Sequence, residues 1–248
     1  MFYTRLLSKI SAGEKCLSVL IDPDKSENQD IERLAMEAEV YGFISLMLGG
    51  SFVEDGQTEK CIDRLRKASD LPIVLFPGDT NQVSSKADSL LYLSLLSGRD
   101  PKWLIEKHIE AIPEIRDSKL EIIPTAYMVL DGGKYTSVLR KSGTNPLSQE
   151  GVDLIVNTAL AGEYMGKKLV YLDAGSGALD SVHPEVIREV KRAISIPLVI
   201  GGGVDSLEKL QLAYDAGADM VVMGNVFEKD PDFISGLKSL LKSEETWS

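Results

Sequence analysis

The 248-residue chain carries a net charge of −11 and 44% hydrophobic residues, enough apolar content for one large core. That charge argues against a nucleic-acid partner, because nonspecific binding rests on basic surface, although an acidic protein still binds phosphates where local N–H groups or a divalent metal meet them. No apolar stretch approaches the ~18 residues needed to span a bilayer and no signal peptide is read, so a cytoplasmic protein with at most peripheral membrane contact is expected.

Apolar runs alternate with helical stretches along the chain. The first run, Cys16–Ile21, reads as a strand, followed by a helix over Asp30–Val40 and a second strand over Phe43–Leu48. Asp22 stands just past the first strand in Ile21-Asp22-Pro23-Asp24-Lys25. A carboxylate there suits Mg²⁺, an ion that takes one or two protein carboxylates together with substrate phosphate oxygens; a turn or capping aspartate is the structural alternative. Gly49-Gly50-Ser51 ends the second strand, where glycine permits close ligand approach and the Ser51 hydroxyl either caps the next helix or reaches the same ion as Asp22. A helix over Glu59–Ala68 leads to a strand over Pro72–Phe76. The connection from Phe76 to Ser89 is too short, and too rich in Gly78, Asp79, Asn81, Ser84 and Ser85, for an ordinary covering helix.

Strands over Ser89–Leu93 and Glu121–Thr125 flank a helix over Trp103–Ala111, whose His108 reads as solvated. Leu130–Pro146, with Gly132, Gly133 and Gly143, reads as a long polar loop or a disordered insertion; long loops at the catalytic end of a barrel often carry function. A helix over Ser148–Gly162 precedes the strand Leu169–Leu172, which ends in Tyr171-Leu172-Asp173-Ala174-Gly175-Ser176-Gly177-Ala178. A carboxylate, a phenol and a Gly-Ser-Gly loop coincide there. The loop can turn N–H groups and the Ser176 hydroxyl toward an anion, and Asp173 can accept a proton from a substrate hydroxyl. A sharp strand-to-helix turn with a core tyrosine is the plainer alternative.

A helix over Pro184–Ala193 with His183 at its start, a strand over Pro197–Ile200, a helix over Leu207–Ala216, a strand over Met220–Met223 and a helix over Pro231–Leu241 complete the pattern. Asp205-Ser206 can cap the helix from Leu207, and Gly217 can stop it. Eight strands in a chain near 250 residues predict an α/β fold, a TIM-type (β/α)8 barrel, read as a single domain over residues 1–248. Gly201-Gly202-Gly203 follows the seventh strand and Gly224-Asn225 the eighth. Those two loops of a barrel offer backbone N–H groups to phosphate, so a phosphorylated small molecule is the expected ligand. Cys16 and Cys61 lie in apolar patterns and are expected as buried thiols in a reducing compartment. Two histidines and no Cys/His cluster give no zinc signature, and no lysine ends a strand as a Schiff-base nucleophile would, apart from Lys25 four residues beyond one.

Taken jointly, Ile21 through Lys25, Gly49-Gly50-Ser51, Tyr171 through Gly177, Ile200 through Gly203 and Gly224-Asn225 resemble the geranylgeranylglyceryl phosphate synthase family, which includes the PcrB-type heptaprenylglyceryl phosphate synthases. The resemblance runs from Leu20 to Val226. One branch of the family has lysine at the place of Leu20, so the chain is similar to the other branch, and many relatives have Glu at the place of Asp173. The resemblance implies ether formation between sn-glycerol 1-phosphate and a long-chain polyprenyl diphosphate such as geranylgeranyl diphosphate. It implies Mg²⁺ on Asp22 and Ser51, and Asp173 and Tyr171 as catalytic groups. Glycerol phosphate would be held by Tyr171, Leu172, Asp173, Ala174, Gly175, Ser176, Gly177, Gly202, Gly203, Gly224 and Asn225. A barrel lacking its third covering helix and a homo-oligomer are also implied. A sugar-phosphate isomerase or aldolase would share the late glycine loops without needing an apolar trough. A noncatalytic glycerol-phosphate-binding protein would keep the grip but not the Asp22–Ser51 pair.

Overall fold

Apolar runs with no polar alternation must be covered on both faces, and here they are. The parallel strands β1 (Cys16–Ile21), β2 (Ser45–Leu48), β3 (Ile73–Leu75), β4 (Ser89–Leu95), β5 (Glu121–Val129), β6 (Leu169–Asp173), β7 (Leu198–Gly201) and β8 (Met220–Met223) pair in chain order, and β8 closes on β1. The computed structural model describes residues 1–28, 30–230 and 232–237. Inside the barrel, Met47, Val74, Leu91, Ile123, Tyr127, Leu169, Tyr171 and Val199 pack together. Outside it, strand residues such as Val19 and Leu46 meet helix residues such as Ile31, Leu65, Ile155 and Ile187.

The covering helices are α2 (Ile31–Val40), α3 (Gln57–Ala68), α4 (Lys107–Ile115), α6 (Val152–Tyr164), α7 (Pro184–Ala193) and α8 (Leu207–Asp215); shorter segments are α5 (Ser137–Ser142), α9 (Asn225–Lys229) and α10 (Phe233–Gly236). The expected punctuation is in place: Ser206 Oγ accepts from Lys209 N at the start of α8, and Gly217, at φ +111°, follows its end. An additional helix, α1 (Phe2–Ser11), precedes the barrel. Its Phe2 and Leu6, four apart and fully buried, join the inner cluster, while the Tyr3 hydroxyl donates to the Lys168 carbonyl just before β6. α1 thus stops the N-terminal end of the barrel and leaves the opposite end for a ligand.

Three expectations change. The stretch Leu130–Pro146 is a long loop that is ordered and carries a short helix rather than a disordered insertion: Leu130 bridges to Leu147, and α5 ends at Gly143 with φ +65°. His108 is half-buried rather than solvated, with Nε2 3.1 Å from Ser94 Oγ and its ring edge-on to Tyr92; burial and the nearby Lys167 charge lower its pKa. Of the helix expected over Pro231–Leu241, only Phe233–Gly236 is seen as helix, and Pro231 and residues 238–241 lie outside the described residues. Cys16 and Cys61 are buried as expected, and burial pushes both thiols up to about 11.

Between β3 and β4 there is no covering helix, only a single turn at Thr80–Gln82. The segment is fastened by charge. Asp79 lies 2.9 Å from Lys107 of α4 and 2.7 Å from Lys141 of α5. Burial alone would raise the Asp79 pKa, but the two ammonium groups outweigh it and hold the carboxyl well below the usual range. No described helix is long and apolar enough to cross a membrane.

Candidate active site

The register of the strands brings their C-terminal ends to one mouth: Asp173 stands beside Gly201 on one side and Val129 on the other. One cavity there is lined by Leu20, Asp22, Gly49 through Phe52, Tyr127, Tyr171, Asp173, Ser176, Gly177, Gly202, Gly203, Gly224 and Asn225. Of the predicted set, Leu172, Ala174 and Gly175 do not line it. Leu172 and Ala174 are buried behind the wall in the outer core, where consecutive strand residues alternate faces.

The glycine segments form a layered grip. Gly175, Gly177, Gly202 and Gly203 all adopt positive φ, from +68° to +91°, a region closed to most side chains. Ser176 Oγ donates to Asn225 Oδ1 at 2.9 Å, which ties the β6 loop to the β8 loop. A methyl group built on Gly202 would lie 2.4 Å from Gly175 N and 2.6 Å from Asp173 Oδ1. One built on Gly224 would instead meet Leu20, 3.0 Å from its carbonyl oxygen. The sequence suggests that a side chain at either glycine would act by blocking phosphate, but these neighbours separate the two. Gly202→Ala is expected to dislodge Asp173 as well as the grip, lowering kcat and raising the KM for a phosphorylated substrate, with roughly 1–2 kcal/mol of backbone strain. Gly224→Ala, at an ordinary φ of −137°, is expected to do much less. Steady-state kinetics with circular dichroism would check the order, and equal losses in the two folded variants would contradict it.

Asp173 is 7% exposed. Its Oδ2 accepts from the Tyr127 hydroxyl at 2.6 Å and its Oδ1 from Gly175 N at 2.7 Å. Burial raises its pKa, and these two donors pull it back part of the way. The carboxylate is therefore held fixed and is more basic than one in water. Tyr171 stacks on Phe76 at 4.9 Å and meets Tyr127 edge-on at 5.7 Å. Burial, and then the Asp173 charge, push both phenols well above their ordinary value, so both stay neutral donors. Sequence reading missed Tyr127, whose signal was its place two residues beyond the strand end assigned at Thr125.

Across the mouth, Asp22 and Ser51 line the same cavity. Ser51 does not cap α3, whose N-terminal boundary is Gly56. Gln82, 1% exposed, fixes the Ser51 loop: its Oε1 accepts from Gly50 N and Gly78 N, each at 3.2 Å, and its Nε2 donates to the Gly50 carbonyl at 2.7 Å. Methyl groups built on Gly50 and Gly78 would strike Asp22 and the Gly50 carbonyl respectively, so bare backbone brings Ser51 toward Asp22. Burial raises the Asp22 pKa; the charge of Lys25, 3.8 Å away, and the hydrogen bond from Asp24 N oppose this only in part. Among the described residues no three His, Cys, Asp or Glu groups gather into a preformed metal site. A carboxylate and a hydroxyl lining one cavity nonetheless suit Mg²⁺, which keeps most of its shell for water and substrate phosphates.

A second, apolar cavity occupies the place of the missing helix. Leu90, Leu91, Leu95, Trp103 and Ala111 line it, and it shares Ser51, Pro77, Gly78, Leu93, Tyr127 and Val138 with the first. The polar mouth thus runs directly into an apolar slot.

The sequence matches the PcrB family over residues 12–242. It is 51% identical to geranylgeranylglyceryl phosphate synthase of Zunongwangia profunda over 225 residues, covering 89% of this chain and 93% of the relative. It is 35% identical to the protein of the same name from Saccharolobus islandicus over 239 residues, covering 94% and 93%. The crystal structure of (S)-3-O-geranylgeranylglyceryl phosphate synthase from Thermoplasma acidophilum, in complex with its substrate sn-glycerol-1-phosphate, is similar with a TM-score of 0.90 at 31% identity, covering 97% of each chain.

Proposed function

The chain belongs to the PcrB family, and on that premise we propose that it is a prenyltransferase joining sn-glycerol 1-phosphate to geranylgeranyl diphosphate as an ether, with Mg²⁺ bound and diphosphate released. The observation that carries this reading is the continuity of the two cavities, since a glycine-lined anion grip beside a buried carboxylate opens into an apolar slot. A sugar-phosphate isomerase would have no use for the slot, and a simple glycerol-phosphate binder would have no use for Asp22 beside Ser51.

The residues divide the work. Backbone N–H groups of the Ser176–Gly177, Gly202–Gly203 and Gly224–Asn225 segments hold the glycerol phosphate, and the Ser176–Asn225 bond keeps two of these loops in step. The C3 hydroxyl then faces Asp173. That hydroxyl oxygen bonds to C1 of the prenyl chain as the C1–O bond to diphosphate breaks, and diphosphate leaves with the electron pair. Asp173 takes the hydroxyl proton. A carboxylate cannot ionise an alcohol beforehand, but it need only accept the proton once the oxygen has bonded to a cation-like carbon. Tyr127 and Gly175 N fix the direction of the accepting oxygen, and Tyr171 closes the wall behind it. Asp22 and Ser51 would hold Mg²⁺, which when bound would neutralise the charge that develops on the leaving oxygens. The prenyl tail lies in the slot, excluding water from the reacting carbon.

Radiolabelled sn-glycerol 1-phosphate incubated with geranylgeranyl diphosphate and Mg²⁺, followed by butanol extraction, tests the reading; absence of an organic-soluble label would overturn it. A homo-oligomer belongs to the same reading. Ile105, Ile109 and Ile112 form an exposed apolar stripe along α4 and the turn before it, at 58%, 65% and 43% exposure. Light scattering is expected to give a multiple of the 27.1 kDa chain mass at micromolar concentration, and a monomer there would contradict it.

A further inference from the structure

The cavity that would hold these phosphates is rimmed by acid: Asp22, Asp173, Asp205, Glu228 and Asp230 all line it. Most ammonium groups nearby are already committed. Lys25 binds Glu228, Lys107 and Lys141 bind Asp79, and Lys209 binds Asp205 and the Gly203 carbonyl. Lys134 is different. It is exposed, and no described residue pairs with it. Its Nζ lies 3.9 Å from the point a Cβ would occupy on Gly177, where Asn225 Nδ2 approaches to 3.1 Å. Two N–H donors from different loops therefore converge on the Gly-Ser-Gly loop.

The segment bearing Lys134 is docked on that loop. The Gly132 carbonyl accepts from Leu179 N and Asp180 N, just past Gly177. Two residues beyond Lys134, Thr136 is 2% exposed, and its Oγ1 has no hydrogen-bond partner although it sits 2.6 Å from the corresponding point on Gly175. Lys134 through Thr136 thus run alongside Gly175 through Gly177. Gly175 N is already bound to Asp173, so that loop has one N–H fewer for a dianion.

We propose that Lys134 is a further substrate-binding residue, whose ammonium closes over the phosphate of the three-carbon substrate from the β5 side and forms a charge-assisted hydrogen bond to it. This deepens the reading above and rests on it for the identity of the substrate. Binding of inorganic phosphate, by calorimetry, and steady-state kinetics would be measured for the parent, Lys134→Gln, Lys134→Arg and Lys229→Gln. Lys229 is the comparison because it lines the cavity, which Lys134 reaches only through its approach to Gly177, and has no partner among the described residues, but stands at the last position of α9, beside the acidic Glu228 and Asp230. For Lys134→Gln the expected result is roughly ten-fold weaker phosphate binding, a similar rise in the KM for sn-glycerol 1-phosphate, and kcat within about two-fold. Lys134→Arg is expected to recover most of the loss, and the Gln variant to show a flatter dependence on salt. Parent-like phosphate binding by Lys134→Gln, or an equal loss in Lys229→Gln, would overturn the proposal. Phosphate binding that depends on Lys134 in a protein that makes no ether would sustain the site and remove the synthase reading instead.

Discussion

Asp22→Ala is expected to reduce prenyl transfer by at least about 10²-fold, the scale of losing a principal electrostatic partner of the transition state, while sn-glycerol 1-phosphate still binds to within about two-fold of the parent. The asymmetry follows from position. Asp22 lies beyond β1, across the mouth from the β6, β7 and β8 loops that grip the phosphate, and none of the contacts within that grip involves it. A turnover assay and calorimetry with glycerol phosphate measure the two halves separately. A Mn²⁺ titration followed by electron paramagnetic resonance reads the cation directly, and should show weakened binding in the variant. Near-normal turnover would remove Asp22 from the site.

Asp173→Asn is expected to lower kcat by roughly 10²-fold or more, the usual scale for a general base, and at the same time to raise the melting temperature at neutral pH. Folding raises the Asp173 pKa through burial. The protonated form is thus favoured by folding, so the stability it contributes is full below the unfolded pKa and is lost as pH rises through the folded one. At neutral pH the buried carboxylate is a net cost that asparagine removes, and the stability difference between variant and parent should shrink as pH falls toward the ordinary carboxylate range. Asp173→Glu should retain substantial activity. Tyr127→Phe supplies the complementary shift: without its hydroxyl, the Asp173 pKa rises further, and the acid limb of kcat moves to higher pH. An Asn variant as fast as the parent would make Asp173 structural, and an unmoved acid limb in Tyr127→Phe would separate the phenol from the proton acceptor.

The barrel was legible because parallel strands covered on both faces leave continuous apolar runs, and because glycines and carboxylates stand where those runs stop. The rest of β5 was hidden: the expected strand ran through Pro124 but stopped at Thr125, whereas the Pro124 carbonyl accepts from Lys168 N and the strand continues through Tyr127 to Val129. Gln82 was hidden for another reason. Its role arises where the ends of β2 and β3 meet, a long-range juxtaposition, and a glutamine among turn residues carries no local sign of burial. α1 is as long as α2 and α7 but was missed because it stands ahead of the first strand, outside the alternation of strands and helices that ordered the rest. The motifs at the strand ends were visible as residue types, but which of them face the cavity was decided by strand alternation, and this places Leu172 and Ala174 behind its wall.

An enzyme whose barrel lacks one outer helix has a side door as well as a top. On the proposed reading the ether product is a surfactant, with its phosphate end held by the glycine loops and its chain lying in the slot along β4. Threading such a molecule out through the top would drag its hydrocarbon past Asp22, Asp173 and Glu228. Leaving sideways lets the two ends part from the protein in either order. Each methylene set free in plain water costs about 0.8 kcal/mol, so the rate of departure depends on what waits outside. Vesicles or mild detergent micelles, which take up the chain without touching the chemistry, should shorten the enzyme's residence with its own product.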